Sequence, residues 1–89
     1  MTVYLLHFSR RLKHARHYLG KTSNLRHRMN EHRTGKGARI LAACNRAGIS
    51  YKVVRTWLRA PRGLERELKQ LHRESLCPVC SGVAARRRG

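Results

Sequence analysis

The sequence predicts an α+β domain: a three-stranded, mostly antiparallel sheet flanked by helices, in the order β-β-α-α-β-α. Three observations predict it. Residues 2–8 (TVYLLHF) are a run of aliphatic, β-branched and aromatic residues, as expected of a buried strand. From residue 23 to residue 47 the apolar positions change to helical spacing. Residues 49–58 (ISYKVVRTWL) then return to partial alternation, with Val53, Val54 and Trp57 as the apolar members. A sheet and helices that must each hide one apolar face solve the problem by packing in layers.

Taken in order, the first strand is followed by a polar, basic segment, residues 9–16 (SRRLKHAR), which reads as a loop or the end of a wide hairpin. Residues 17–20 form a short second strand antiparallel to the first, and Gly20 allows a tight turn out of it. Ser23 or Asn24 can cap the first helix, residues 23–33, by accepting a hydrogen bond from an unpaired N–H of the first turn. Leu25, Met29 and His32 make its inward stripe, and Gly35 is placed to end it. A second helix, residues 38–47, turns Ile40, Leu41 and Cys44 inward and stops at Gly48. After the third strand, residues 59–63 turn, and Pro61 suits the first turn of a third helix. Leu64, Leu68 and Leu71 stack along that helix to about residue 73. Residues 77–80 (CPVC) form a turn, and residues 84–89 form a basic tail expected to be disordered. The expected division is a domain over 1–76 and a turn plus tail over 77–89.

Composition narrows the function. The chain of 89 residues carries 21 Lys and Arg against 4 acidic residues, a net charge of +17, and no Asp. Such a charge on so small a domain predicts a polyanionic partner, nucleic acid in the first place. No stretch reaches the length of a membrane span, and no long basic amphipathic helix offers an aromatic face to a membrane surface. The short apolar run near the N-terminus leads into a basic segment, which does not suit a signal peptide, so the expected location is the cytoplasm. The 3 cysteines, an odd number, argue against a disulfide framework.

Residues 17–32 (HYLGKTSNLRHRMNEH) organise the chain. Arg28 and His32 are four apart on one helix and share a face, and Tyr18 arrives from an adjacent strand. An Arg, a His and a Tyr so placed could form a site for phosphate chemistry. With carboxylates this scarce, Glu31, Glu65, Glu67 and Glu74 are each candidate metal ligands.

These residues resemble the GIY-YIG nuclease family. The first motif corresponds to Val3-Tyr4 and the second to Tyr18-Leu19-Gly20, followed by Lys21, Asn24-Leu25, Arg28 and His32. Glu65-Arg66-Glu67-Leu68-Lys69 matches the helix that carries the family's metal-binding Glu, with Glu65 in the ligand position. The resemblance covers residues 2–72, and the CPVC ending is similar to that of small standalone members. Thr2 stands where the family has the first motif's glycine, Leu19 stands for its isoleucine, and the segment between the motifs is long and basic.

The resemblance implies a metal-dependent DNA endonuclease. Glu65 would hold one divalent cation, Mg²⁺ or Mn²⁺, mostly through water. Arg28 would grip a phosphoryl oxygen with its guanidinium fork. Tyr4 would take or orient the proton of the attacking water, and Tyr18 would hydrogen-bond that water or the phosphate. His32 would bind phosphate or carry a proton, with a packing role as the alternative. Lys21 would contact a phosphate, and Asn24 would cap the helix or orient the substrate. Arg10, Arg11 and Lys13 of the basic segment are candidate DNA contacts. His7, His14, His17, His27 and His72 read as surface or DNA-facing residues.

Cys77-x-x-Cys80 is half of a zinc site, and His72 and Cys44 are the candidates to complete it. The reading preferred on sequence is a reduced turn packed against the third helix. The expected partner is DNA, single-stranded, branched or duplex, with the protein as a monomer. A nucleic-acid-binding protein of the same fold without turnover is the alternative, and a small zinc-stabilised interaction module is the third.

Overall fold

The computed structural model describes residues 1–80, in seven elements: β1 (Thr2–Leu12), β2 (Ala15–Thr22), α1 (Leu25–Arg33), α2 (Arg39–Ala47), β3 (Tyr51–Trp57), α3 (Leu64–Lys69) and α4 (Arg73–Leu76). The basic tail at 84–89 lies outside the described residues. The sheet runs β2-β1-β3 with both pairings antiparallel, so β1 is central. This is the expected α+β architecture.

Because side chains alternate along a strand, β1 divides its residues between two cores. Val3 and Leu5 join Leu19, Leu68, Leu76 and Cys77 on the face covered by α3 and α4. Tyr4, Leu6 and Phe8 join Leu41, Cys44 and Ile49 on the face covered by α1 and α2. Burial on both faces explains why residues 3–8 are apolar almost without interruption. The β1–β3 register advances by one residue between Leu5 and Leu6, which places Val54 as an extra residue on β3.

Three local expectations are corrected. First, of the two readings of residues 9–16, the hairpin end holds and the loop does not. Both strands continue through them, Leu12 faces Ala15, and Lys13 and His14 make the turn, with Lys13 at φ 56°. Strand pairing joins backbone groups, so a polar, basic side-chain sequence does not prevent it, and Ser9 N–H donates to Ser50 O across the sheet at 2.8 Å. Second, Gly20 lies inside β2, directly opposite Tyr4, and makes no turn. Third, the third helix stops at Lys69, and a separate short helix begins at Arg73. Leu71 is therefore half exposed, whereas Leu68 and Leu76 are buried. The break turns the chain so that Leu76 and Cys77, instead of Leu71, reach the sheet, and Arg55 Nη1 donates to Leu76 O at 3.2 Å. Pro61 precedes α3 rather than entering it, and Gly63, at φ 90°, takes the position before the first helical residue.

The remaining boundaries follow their local signals. Asn24 is the cap of α1, its side-chain oxygen accepting from His27 N–H at 3.1 Å. Gly48 ends α2 at φ 71°. No helix among the described residues is long and apolar enough to cross a membrane.

The helix break predicts an asymmetry in stability. Leu68→Ala should cost about 2–5 kcal/mol, the range for emptying a buried leucine site. Leu71→Ala should stay within about 0.5 kcal/mol of the parent, as for an exposed substitution. Chemical denaturation of the two variants measures this, and equal losses would restore one continuous third helix.

Candidate active site

The site is built where the first two strands meet α1. Tyr4 on β1 and Tyr18 on β2 point to the α1 face, with ring centroids 6.1 Å apart. Gly20 makes that approach possible: a Cβ there would lie 2.6 Å from the Tyr4 hydroxyl oxygen and 2.8 Å from the Tyr18 ring. The glycine of the second motif is thus a space for two tyrosines.

His32, on the last turn of α1, is almost completely buried, and its Nε2 lies 2.8 Å from the Tyr4 hydroxyl. Its other ring nitrogen is also engaged, because the Ala38 N–H donates to Nδ1 at 3.3 Å. Burial, followed by the nearby Arg28 charge, lowers the pKa of His32 below its ordinary value, which keeps the ring neutral. A neutral ring that accepts at Nδ1 carries its proton on Nε2. His32 therefore donates to the Tyr4 oxygen and fixes that phenol in place. With both nitrogens used inside the protein, His32 has none left for a phosphate.

Burial holds the Tyr4 phenol well above its ordinary pKa, and the neighbouring Tyr18 raises it further while Arg28 opposes both. A side-chain hydrogen bond with Tyr18 also raises it. The resulting chain runs from His32 through Tyr4 to Tyr18, which is half-buried and forms its outer end.

Arg28 and Glu65 complete the constellation from two directions. Arg28 is part exposed, on the helix that carries His32, and its Nη1 lies 3.4 Å from Glu31. Glu65 comes from α3, and its charge acts on Tyr4. Its carboxylate lies between Lys21 Nζ at 4.0 Å and Lys69 Nζ at 3.8 Å. An open cleft of about 520 Å³ lined by Lys21, Arg62, Glu65 and Arg66 gives solvent access to it.

Tyr4, Tyr18, Arg28, His32, Lys21 and Glu65 thus come together. Other candidates do not. Arg10, Arg11 and Lys13 lie toward the far end of the β1–β2 hairpin, with Arg10 roughly 20 Å along the strand from Tyr4 at ~3.3 Å per residue. Arg10 Nη2 donates to Ala47 O at 2.6 Å, which ties the hairpin to α2. The side-chain oxygen of Asn24 is occupied as the helix cap. His7 is buried and His17 half-buried against it, so neither is the surface residue expected.

Two contributors were not legible in the sequence. Gly37 packs under His32, and a Cβ there would overlap Nδ1. Asn45 donates to the His32 carbonyl at 2.7 Å and accepts from the Tyr51 hydroxyl at 3.0 Å. The second glycine of Gly35-Lys36-Gly37, redundant as a helix stop, was the available signal for the first.

Gly37→Ala tests this support. Overpacking against His32 should cost about 1–3 kcal/mol and shift the His32 imidazole resonances in an NMR spectrum. Unchanged resonances together with unchanged stability would remove Gly37 from the site.

Comparison with curated proteins and with solved structures returns no match. The model of the GIY-YIG catalytic domain matches residues 1–76, spanning every element described above. A match over that much of the 89-residue chain shows that the chain belongs to the GIY-YIG family, a family of nuclease type.

Proposed function

We propose that this protein is a metal-dependent endonuclease that hydrolyses DNA phosphodiester bonds. The observation that carries the reading is the gathering of Tyr18, Arg28 and Glu65 around the buried His32–Tyr4 pair in a chain of net charge +17. Binding a polyanion needs no carboxylate at the centre of a basic surface.

Glu65 suits a hard divalent cation such as Mg²⁺ or Mn²⁺. It offers one carboxylate at an open cleft, and a cation held by a single carboxylate keeps most of its water. When bound, the metal would supply Lewis-acid polarisation of the scissile phosphate. Arg28 would hold a phosphoryl oxygen through paired N–H donors and stabilise the charge that builds there. Lys21, now paired with Glu65, would turn to a phosphate once the cation replaces it. Tyr18 would position the attacking water at the outer end of the hydrogen-bonded chain. Tyr4 acts through Tyr18, and its raised pKa makes it an orienting group in the free protein and a base only when substrate and cation bring it positive charge. His32 is a positioning residue.

One observation favours the alternative of nucleic-acid binding without turnover. Two ammonium groups already flank Glu65 and compete with a cation. The two readings separate in a cleavage assay on labelled single-stranded, duplex and branched DNA with Mg²⁺, Mn²⁺ or EDTA. Cleavage should need the metal, and Glu65→Gln and Arg28→Ala should keep DNA binding while losing on the order of 10²-fold or more in rate. Binding by the wild type with no cleavage under any metal would leave the binding reading standing.

The pH dependence has a defined sign. Protonating His32 puts a hydrogen on Nδ1, against the Ala38 N–H already directed there. The folded-state pKa is lowered, so the support His32 gives is complete above the ordinary histidine value of about 6.5 and is lost as pH falls through the lowered one. The acid limb of kcat/KM should therefore lie below pH ~6.5 and disappear in His32→Gln. A limb that persists in that variant belongs to another group.

A further inference from the structure

On the opposite face of β1 from Tyr4, four side chains converge. His7 and His17 are directly opposite each other across β1 and β2, with ring centroids 5.1 Å apart. Cys77 and Cys80 approach them from the turn after α4. One ligand atom from each of the four lies within 4.8 Å of every other.

We propose that His7, His17, Cys77 and Cys80 bind one structural Zn²⁺, which fastens the C-terminal turn to the β1–β2 hairpin. The geometry matches. A tetrahedral zinc, with Zn–N of about 2.0–2.1 Å and Zn–S of about 2.3 Å, sets its ligands about 3.3–3.4 Å apart for N–N and about 3.5–3.6 Å apart for N–S. Here His7 Nδ1 and His17 Nε2 are 3.3 Å apart. His7 Nδ1 lies 3.5 Å from Cys77 Sγ and 3.7 Å from Cys80 Sγ, and His17 Nε2 lies 3.3 Å from Cys80 Sγ.

Hydrogen bonding does not account for the cluster. His7 Nδ1 has three heavy-atom neighbours at these distances, and a neutral ring nitrogen offers a single donor or a single acceptor. A shared central cation places each ligand near three others as a matter of course. Two residues separate Cys77 from Cys80, the ligand spacing of a structural zinc turn. On binding, each thiol releases its proton and each imidazole coordinates as the neutral ring, so the two thiolates balance the charge of the cation.

The surroundings of the cluster are cationic, with Arg11 and Arg16 beside it. Arg16 Nε is buried with no hydrogen-bond partner among the described residues, and Arg16 lines a cleft with His7 and Cys80. A site in which two thiolates cancel the zinc charge adds no further positive charge beside that guanidinium. All four positions are filled by protein, which marks a structural rather than a catalytic metal. His7 is also three residues beyond Tyr4, about 10 Å along the strand at ~3.3 Å per residue, and on the other face. The site does not depend on the nuclease reading. It also fits the size of the chain, since a small domain with a modest core gains from a metal staple.

Elemental analysis of the untagged protein, purified under reducing conditions and titrated with Zn²⁺, should find one zinc per chain. Co²⁺ substitution should give the visible d–d absorption of a tetrahedral site and a thiolate charge-transfer band. The Cys80→Ser and His17→Ala variants, made at the two less buried ligands, should each lose most of the zinc. Glu65→Gln should keep it while losing cleavage, which separates this metal from the proposed catalytic one. Wild type that binds no zinc and gives no tetrahedral cobalt spectrum would overturn the proposal, as would a Cys80→Ser/His17→Ala double variant that holds zinc like the wild type.

Discussion

The alternation of side chains along β1 is the constraint on which the rest of the molecule depends. A central strand covered on both faces must send every second residue to each side. In β1 the even positions deliver Tyr4, Leu6 and Phe8 to the helices α1 and α2, and the odd positions deliver Val3, Leu5 and His7 to α3 and α4. A slip of one residue would exchange the two sets. The phenol that His32 must meet would then face α3, and the histidine that meets the cysteines would face α1.

That division gives each face its own chemistry. On the α1 side, a neutral histidine clamped by Ala38 N–H donates to a buried tyrosine, and the tyrosine in turn addresses Tyr18. The whole arrangement is dry and rigid at its inner end and wet at its outer end, where Arg28 and Lys21 meet solvent. Hydrogen bonds held in low dielectric orient a group firmly but make ionising it expensive. Tyr4 is accordingly better placed to orient than to ionise. On the opposite side the same strand presents His7 to His17, Cys77 and Cys80.

The break between α3 and α4 shapes the face that these two helices cover. Had the third helix continued, Leu71 would have been buried and the CPVC turn would have been carried away from the hairpin. Instead, Leu76 and Cys77 fill the core beside Leu5 and Leu19, and the turn brings Cys80 to His17. Meanwhile the short α3 keeps Glu65 close to Lys21 at the β2 edge. One interruption in a helix thus serves both the carboxylate and the cysteines.

By itself the sequence determined the order β-β-α-α-β-α, the burial of the first strand, a helix cap at Ser23 or Asn24, the stop at Gly48, and the shared helix face of Arg28 and His32. Each of these is written in spacings of a few residues, where backbone geometry and side-chain periodicity act directly. The tertiary structure alone decided that residues 9–16 continue the strands, that Gly20 and Gly37 are spaces for rings, and that both nitrogens of His32 are engaged. It also decided that Cys77 and Cys80 meet His7 and His17 rather than His72 and Cys44. The His32–Tyr4 pair and the His7, His17, Cys77 and Cys80 cluster join residues 10 to 73 positions apart through strand register and packing. No local pattern carries that information, because the same tyrosine, glycine or histidine reads identically in its own segment whichever partner the fold brings to it.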